Sequence, residues 1–213
     1  YWPDAAFPAA NGMKNQCLVA VAAHADDAEL HAGGTLAKWA AQGASVHIVM
    51  ATDNCSGRII PPDGNESQRK RLSPAETGAL RRAEQEAAAK LSGAKTHYLD
   101  YGQPHYLDGT REIRVGFDPQ IHPAGIAGRT SILIAPDHPA DVARLADLLA
   151  RLQPSRVLTH NPIDVDPEHH AVMALTWKAF RLKPELRGIP LWFWTHSTTS
   201  PGMIDPQYDR FED

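Results

Sequence analysis

Cysteine is nearly absent: Cys17 and Cys55 are the only two in 213 residues. They could pair at most once, so a disulfide scaffold is excluded, and a thiolate zinc site would lack ligands. Buried free thiols are the expectation. No run approaches the ~18 apolar residues of a membrane-crossing helix, and the opening segment from Tyr1 to Phe7 lacks the basic start and continuous apolar stretch of a signal peptide. A cytoplasmic location is therefore expected, with a trimmed N-terminus left open because the chain does not begin with Met. Basic excess is missing too: 21 Lys and Arg against 25 Asp and Glu give a formal charge of −4. That balance offers no footprint for nucleic acid and no polybasic membrane patch. Nor does a Gly-x-Gly-x-x-Gly follow the first apolar run, which disfavours a dinucleotide-binding dehydrogenase.

What the chain does have is histidine, 11 of them. A domain of this size buries roughly 70% of its unfolded surface, so no metal is needed merely to hold it together. A metal would need a functional reason. The length suits one domain, residues 1–213. Four short apolar runs read as strands covered on both faces: Val19 to Ala23, Val46 to Ala51, Ser131 to Ile134 and Arg156 to Thr159. Helical patterns lie between them, from Thr35 to Gln42, from the capping box Ser73-Pro74-Ala75-Glu76 to Gly93, from Ala140 to Leu152, and from Pro167 to Phe180. An aromatic strand, Leu191 to His196, follows. This alternation predicts an α/β fold, a mainly parallel sheet with helices on both faces. In such sheets ligands sit beyond the carboxyl ends of the strands. The segments from Gly57 to Ser73 and from Gly102 to Thr130 are long, polar loops of the kind that often shape a pocket.

The first run is followed by His24-Ala25-Asp26-Asp27-Ala28-Glu29. One imidazole and three carboxylates crowded at a strand end are costly unless a cation or hydrogen-bond donors compensate. His24 and Asp27 can converge on one Zn²⁺. Asp26 can stay out of the coordination sphere and take a proton from the attacking water. The competing reading is that Asp26 or Asp27 only caps a helix. A third ligand is expected from Asp164-Val165-Asp166-Pro167-Glu168-His169-His170, after the last of the four runs. There Asp166 has the look of a helix N-cap, and the two adjacent histidines diverge by about 100° on a helix, so at most one is a ligand.

His24-Ala25-Asp26-Asp27 with Gly33-Gly34-Thr35 resembles the His-Pro-Asp-Asp signature and Gly-Gly of the LmbE/PIG-L family of zinc-dependent de-N-acetylases. Asp164 to His169 resembles that family's second motif, Asp-x-His-Pro-Asp-His. Arg81-Arg82-Ala83-Glu84 with Leu91-Ser92-Gly93 resembles its middle helix. The resemblance implies a Rossmann-like domain binding one Zn²⁺ through His24, Asp27 and His169, with Fe²⁺ or Co²⁺ acceptable to the same ligands. It implies Asp26 as general base and removal of the N-acetyl group from an N-acetylglucosamine-type sugar or conjugate. Arg81 matches a residue that can contact substrate, and an ion-paired helix arginine is its alternative.

Three departures stand out. Ala25 replaces the family's Pro. Gln103 sits where the family often has Asp, which bears on sugar contacts. Asp166 replaces a His that stabilises the oxyanion or protonates the leaving group, so either another His substitutes, from His160, His170 and His196, or Asp166 joins the metal shell, or activity is altered. A non-catalytic or altered-specificity sugar-binding relative is the alternative that follows. The expected partner is a small amino-sugar conjugate, with no nucleic acid and no membrane segment, and a homo-oligomer is left open. Asp213 falls earlier than the family's usual end, so the domain is expected to be short or incomplete there.

Overall fold

A computed structural model describes residues 12–55, 72–103, 130–164 and 166–194. His196 and most of the two long loop segments lie outside the described residues. Five strands form one sheet: β1 (Cys17–Ala22), β2 (Ser45–Thr52), β3 (Lys95–Tyr101), β4 (Arg156–His160) and β5 (Leu191–Trp194). Their order is β3-β2-β1-β4-β5, and every pairing is parallel. The helices are α1 (Asp27–Ala41), α2 (Pro74–Ser92), α3 (Pro139–Leu152) and α4 (Pro167–Leu182). None of the described helices is long and apolar enough to cross a membrane.

Alternation along β1 divides the core. Leu18, Ala20 and Ala22 pack with Ala28, Ala32, Leu36 and Trp39 of α1 and Ala89 of α2. Val19 and Val21 face the other way, onto Leu145 and Leu149 of α3 and Val172 and Leu175 of α4. Both faces of the central strands are thus covered, which is why they read as continuous apolar runs. The chain builds outward from β1 to β3, then crosses to β4 on the other side of β1. Loops leaving β1 and β4 therefore diverge, opening the crevice where ligands bind in sheets of this class.

Local signals placed both ends of α2 well. The Ser73 hydroxyl accepts from the Glu76 backbone while Glu76 returns to the Ser73 backbone, and Gly93 closes α2 at φ 73°. Helix α1 starts eight residues before the expected Thr35, so Gly33 and Gly34 lie inside it. The expected strand Ser131 to Ile134 is a correction. Only Ser131 bridges, to Gly102, and the chain then turns into a short 3-10 segment, Ala135–Asp137. The Ser131 carbonyl takes the Ile134 and Ala135 amides and its hydroxyl takes that of Leu133, a serine turn that outcompetes the ladder. The sheet's remaining strand is β3, at one edge, where polar Thr96, Tyr98 and Asp100 alternate with His97, Leu99 and Tyr101.

Leu145 is fully buried, whereas Leu91 on α2 is 90% exposed. Leu145→Ala is expected to lower unfolding stability in urea by about 2–5 kcal/mol, and Leu91→Ala by no more than about 0.5 kcal/mol.

Candidate metal centre and active site

The loop after β1 and the first turn of α4 meet at the crevice. His24 Nδ1 lies 3.2 Å from His169 Nε2 and 3.5 Å from Asp27 Oδ2, and His169 Nε2 lies 3.5 Å from Asp27 Oδ1. Donors placed tetrahedrally at 2.0–2.1 Å from one Zn²⁺ stand about 3.3–3.4 Å apart. Three side chains from two distant segments therefore already outline one face of such a site. Asp27 and His169 are buried and His24 is partly so.

Each imidazole is oriented by a carboxylate on its far nitrogen. His24 Nε2 donates to Glu168 Oε2 at 2.9 Å, and His169 Nδ1 donates to Asp164 Oδ2 at 2.8 Å. A carboxylate only accepts, so these contacts place the hydrogens away from the crevice and turn His24 Nδ1 and His169 Nε2 inward as lone-pair donors. Glu168 and Asp164 went unassigned in the sequence. Their signal was there, one and five residues before His169, but spacing alone cannot separate a ligand from its orienting partner. A second group, His160, Asp164 and His169, also has its donor atoms close together. Asp164 there is engaged with His169 Nδ1, which leaves the first group as the better cation site.

Electrostatics follow the same layout. Burial alone would lower the His24 pKa, but Glu168, with Asp27 and Asp166, raises it to about 10. Burial would raise Asp27, yet the His169 hydrogen bond and the nearby His24 and His160 hold its carboxyl well below the usual range. His169 is raised above its ordinary value: burial opposes this, and its bond to Asp27 prevails. A cation bound here would take over the role these protons play.

His160 is fully buried under the site. Its ring stacks on His169 with centroids 4.0 Å apart, and Nε2 accepts the Ala23 amide at 2.9 Å. Burial, only partly offset by Asp27, drops its pKa to about 3. The structure thus places it as a neutral floor beneath a ligand. Asp166 is the N-cap of α4: one carboxylate oxygen accepts the amides of Glu168 at 2.8 Å and His169 at 3.3 Å. His170 points to solvent on α4.

Asp26 does not cap α1 with its side chain. It is exposed and meets Arg81 Nη2 at 2.8 Å. The Ala25 amide, which the family's Pro would lack, donates to Asn54 Oδ1 at 2.6 Å, so a hydrogen bond tethers the turn where a ring would have stiffened it. Gln103 is buried at the end of β3, its side-chain amide 3.5 Å from Glu168 Oε1. Six of the ten residues singled out in the sequence, His24, Asp26, Asp27, His160, Asp166 and His169, gather here. Arg81 and Gln103 stand at the rim, and His196 lies outside the described residues.

Two outcomes follow. Asp166→Asn should keep the cap and the stability, while Asp166→Ala should lose about 1 kcal/mol in denaturant titration. Because the His24 pKa stands at about 10 without a metal, Zn²⁺ uptake should release at least one proton and tighten as pH rises. Calorimetry in two buffers of different ionisation enthalpy reads both.

Residues 19–180 match the profile of the PIG-L family, GlcNAc-PI de-N-acetylase. The chain is 29% identical over 175 residues to the 1D-myo-inositol 2-acetamido-2-deoxy-alpha-D-glucopyranoside deacetylase of Rhodococcus jostii (strain RHA1), covering 78% of this chain and 54% of that protein. It therefore spans little more than half the length of that relative. Among solved structures, it is similar to the 4-carboxy-2-hydroxymuconate hydratase GalB of Pseudomonas putida KT2440, at 26% identity and TM-score 0.51, over 78% of this chain and 56% of that one. It shares its fold with the N,N'-diacetylchitobiose deacetylase of Pyrococcus horikoshii, at 23% identity and TM-score 0.52, over 78% of this chain and 50% of that one. With a profile match across three quarters of its length and the motif residues assembled at one crevice, the chain belongs to the PIG-L (LmbE-like) de-N-acetylase family.

Proposed function

We propose that the protein is a Zn²⁺-dependent hydrolase that removes the N-acetyl group from an N-acetylglucosamine-type sugar or glycoconjugate. The observation that carries this is the convergence of His24 Nδ1, His169 Nε2 and the Asp27 carboxylate, with Asp26 beside them on the same turn. These three groups would hold the ion, and Fe²⁺ or Co²⁺ suits the same donors. Bound there, the metal supplies Lewis acidity that polarises the amide carbonyl and acidifies the attacking water.

The chain's own residues do the rest. Asp26 takes the proton of the attacking water and returns it to the departing amine. Partial desolvation where it leans on the protein and the neighbouring Asp27 raise its pKa, with Arg81 and His24 opposing, so it is a better base than a solvated aspartate. Asp164 and Glu168 fix the tautomers of His169 and His24. Asp166 orders the first turn of α4, from which Glu168 and His169 project, rather than meeting an oxyanion of its own sign. A purely sugar-binding role needs no base, and the Asp26 carboxylate is not spent on capping the helix. The substrate class rests on the family and on the acetamido sugar in the relatives' names.

Chelation should abolish acetate release from an N-acetylglucosaminide, and Zn²⁺ should restore it. Full activity after demonstrable metal removal would refute the proposal. Asp26→Asn should retain metal and lose about 10²–10⁴-fold in kcat, whereas His169→Ala should lose the metal itself. Because a hydratase shares this fold, the product assay must score acetate and free amine, not substrate loss alone.

A further inference from the structure

Asp26 sits at φ 144°, ψ −25°, backbone that side-chain-bearing residues rarely adopt. Something must hold it there. Its own carbonyl accepts the Leu30 amide at 2.8 Å as α1 begins, and the preceding amide, that of Ala25, is tethered to Asn54. The remaining constraint comes from α2. Arg81 Nη2 donates both to the Ala25 carbonyl and to Asp26 Oδ2, the latter at 2.8 Å. Those two acceptors lie on either side of the bond whose rotation is φ of Asp26. Anchoring both to one guanidinium fixes that angle and aims the carboxylate.

The arginine is itself held. Nη1 donates to Glu84 Oε2 at 2.8 Å. One turn before Arg81, Gly78 lets α2 approach the end of β2 so closely that a Cβ would stand 2.8 Å from the Asp53 carbonyl oxygen. One turn after, Gln85 donates to Glu29 Oε1 of α1 at 2.7 Å. Gly78, Arg81 and Gln85 are spaced by three and four, so they share one helix face.

We infer that Arg81 is a positioning residue for Asp26, bracing the turn through the Ala25 carbonyl and the Asp26 carboxylate, and that Gly78 is required to bring it there. This rests on the reading of Asp26 as the base, and it differs from a substrate contact in what it changes. A substrate contact acts on KM. A brace acts on kcat, because a misaimed base leaves ground-state binding intact. Lysine is a poor replacement, since the guanidinium divides its partners between two nitrogens, Nη1 on Glu84 and Nη2 on the Ala25 and Asp26 oxygens, and a single ammonium would have to serve all three from one point.

The test uses the full chain loaded with Zn²⁺, with Arg81→Ala, Arg81→Lys, Gly78→Ala and, as control, Asp26→Asn. Arg81→Ala should keep its zinc by elemental analysis and lose about 10- to 100-fold in kcat, with KM changed less than about threefold. Arg81→Lys should recover little of this, and added guanidinium should restore part of the Arg81→Ala rate. Gly78→Ala should resemble Arg81→Ala. Independently of activity, amide exchange across residues 24–30 should quicken about tenfold in Arg81→Ala at full metal occupancy. A rise in KM alone would make Arg81 a substrate contact and overturn the inference. Unchanged exchange, unchanged kinetics or a higher kcat in Arg81→Ala would overturn it as well. If Asp26→Asn turns over normally, the assignment of the base has failed, a result separable from failure of the brace.

Discussion

The arrangement depends on one buried carboxylate. Asp27 is almost fully enclosed, yet it lies within about one ligand spacing of three imidazoles, His24, His160 and His169. Burying a charge in an apolar crevice is prohibitive unless opposite charge or hydrogen bonding compensates. Here the compensation is imported from the other end of the chain, so β1 and α4 cannot separate without stranding Asp27. The carboxylates of Asp164 and Glu168 extend the same logic outward by pinning the imidazoles. Charge alternates from the surface to the centre: carboxylate, imidazole, carboxylate.

The sheet explains why this happens where it does. Strand order reverses beside β1, and the only crevice among the described strands into which both the β1 and β4 loops open is the one that receives His24 and His169. His160 ends β4 under that crevice and carries the stack of His169 above it. Trp194, at the end of β5, packs edge-on to His160 with centroids 5.0 Å apart. Trp194, the buried residue of this strand, thus supports the floor of the site, while Phe193 beside it is exposed.

Much of this was legible in the sequence, and for physical reasons. Strands β1, β2 and β4 are covered on both faces, so burial writes itself as continuous apolar runs. Helix α2 announces both ends through a capping box and a glycine in the left-handed region. Edge strand β3 was hidden because half its side chains are polar, and Ser131 to Ile134 misled because an apolar run buried in a turn reads like a strand. At the site, spacing and donor type singled out His24 and Asp27, the family resemblance added His169, and the structure brings the three together. Asp166 revealed its capping role through the proline that follows it. The tethers were not legible: Asn54 to Ala25, Glu168 to His24 and Arg81 to Asp26 join residues 29, 144 and 55 apart, and no local pattern encodes such pairs.

The separation of His24 from His169, 145 positions along the chain, has a consequence for how the protein matures. In an all-parallel sheet such distant segments meet only after the intervening crossovers have docked, and closing long loops is slow and entropically costly. The three candidate ligand atoms therefore come into register only once β1 and β4 have paired and α4 has docked. A metal that requires all three recognises the finished tertiary structure and hardly any partly folded one. A cation held by those three atoms would draw the population toward the native basin in proportion to the logarithm of free metal concentration. Metal supply would thereby bear on how much of the chain persists folded.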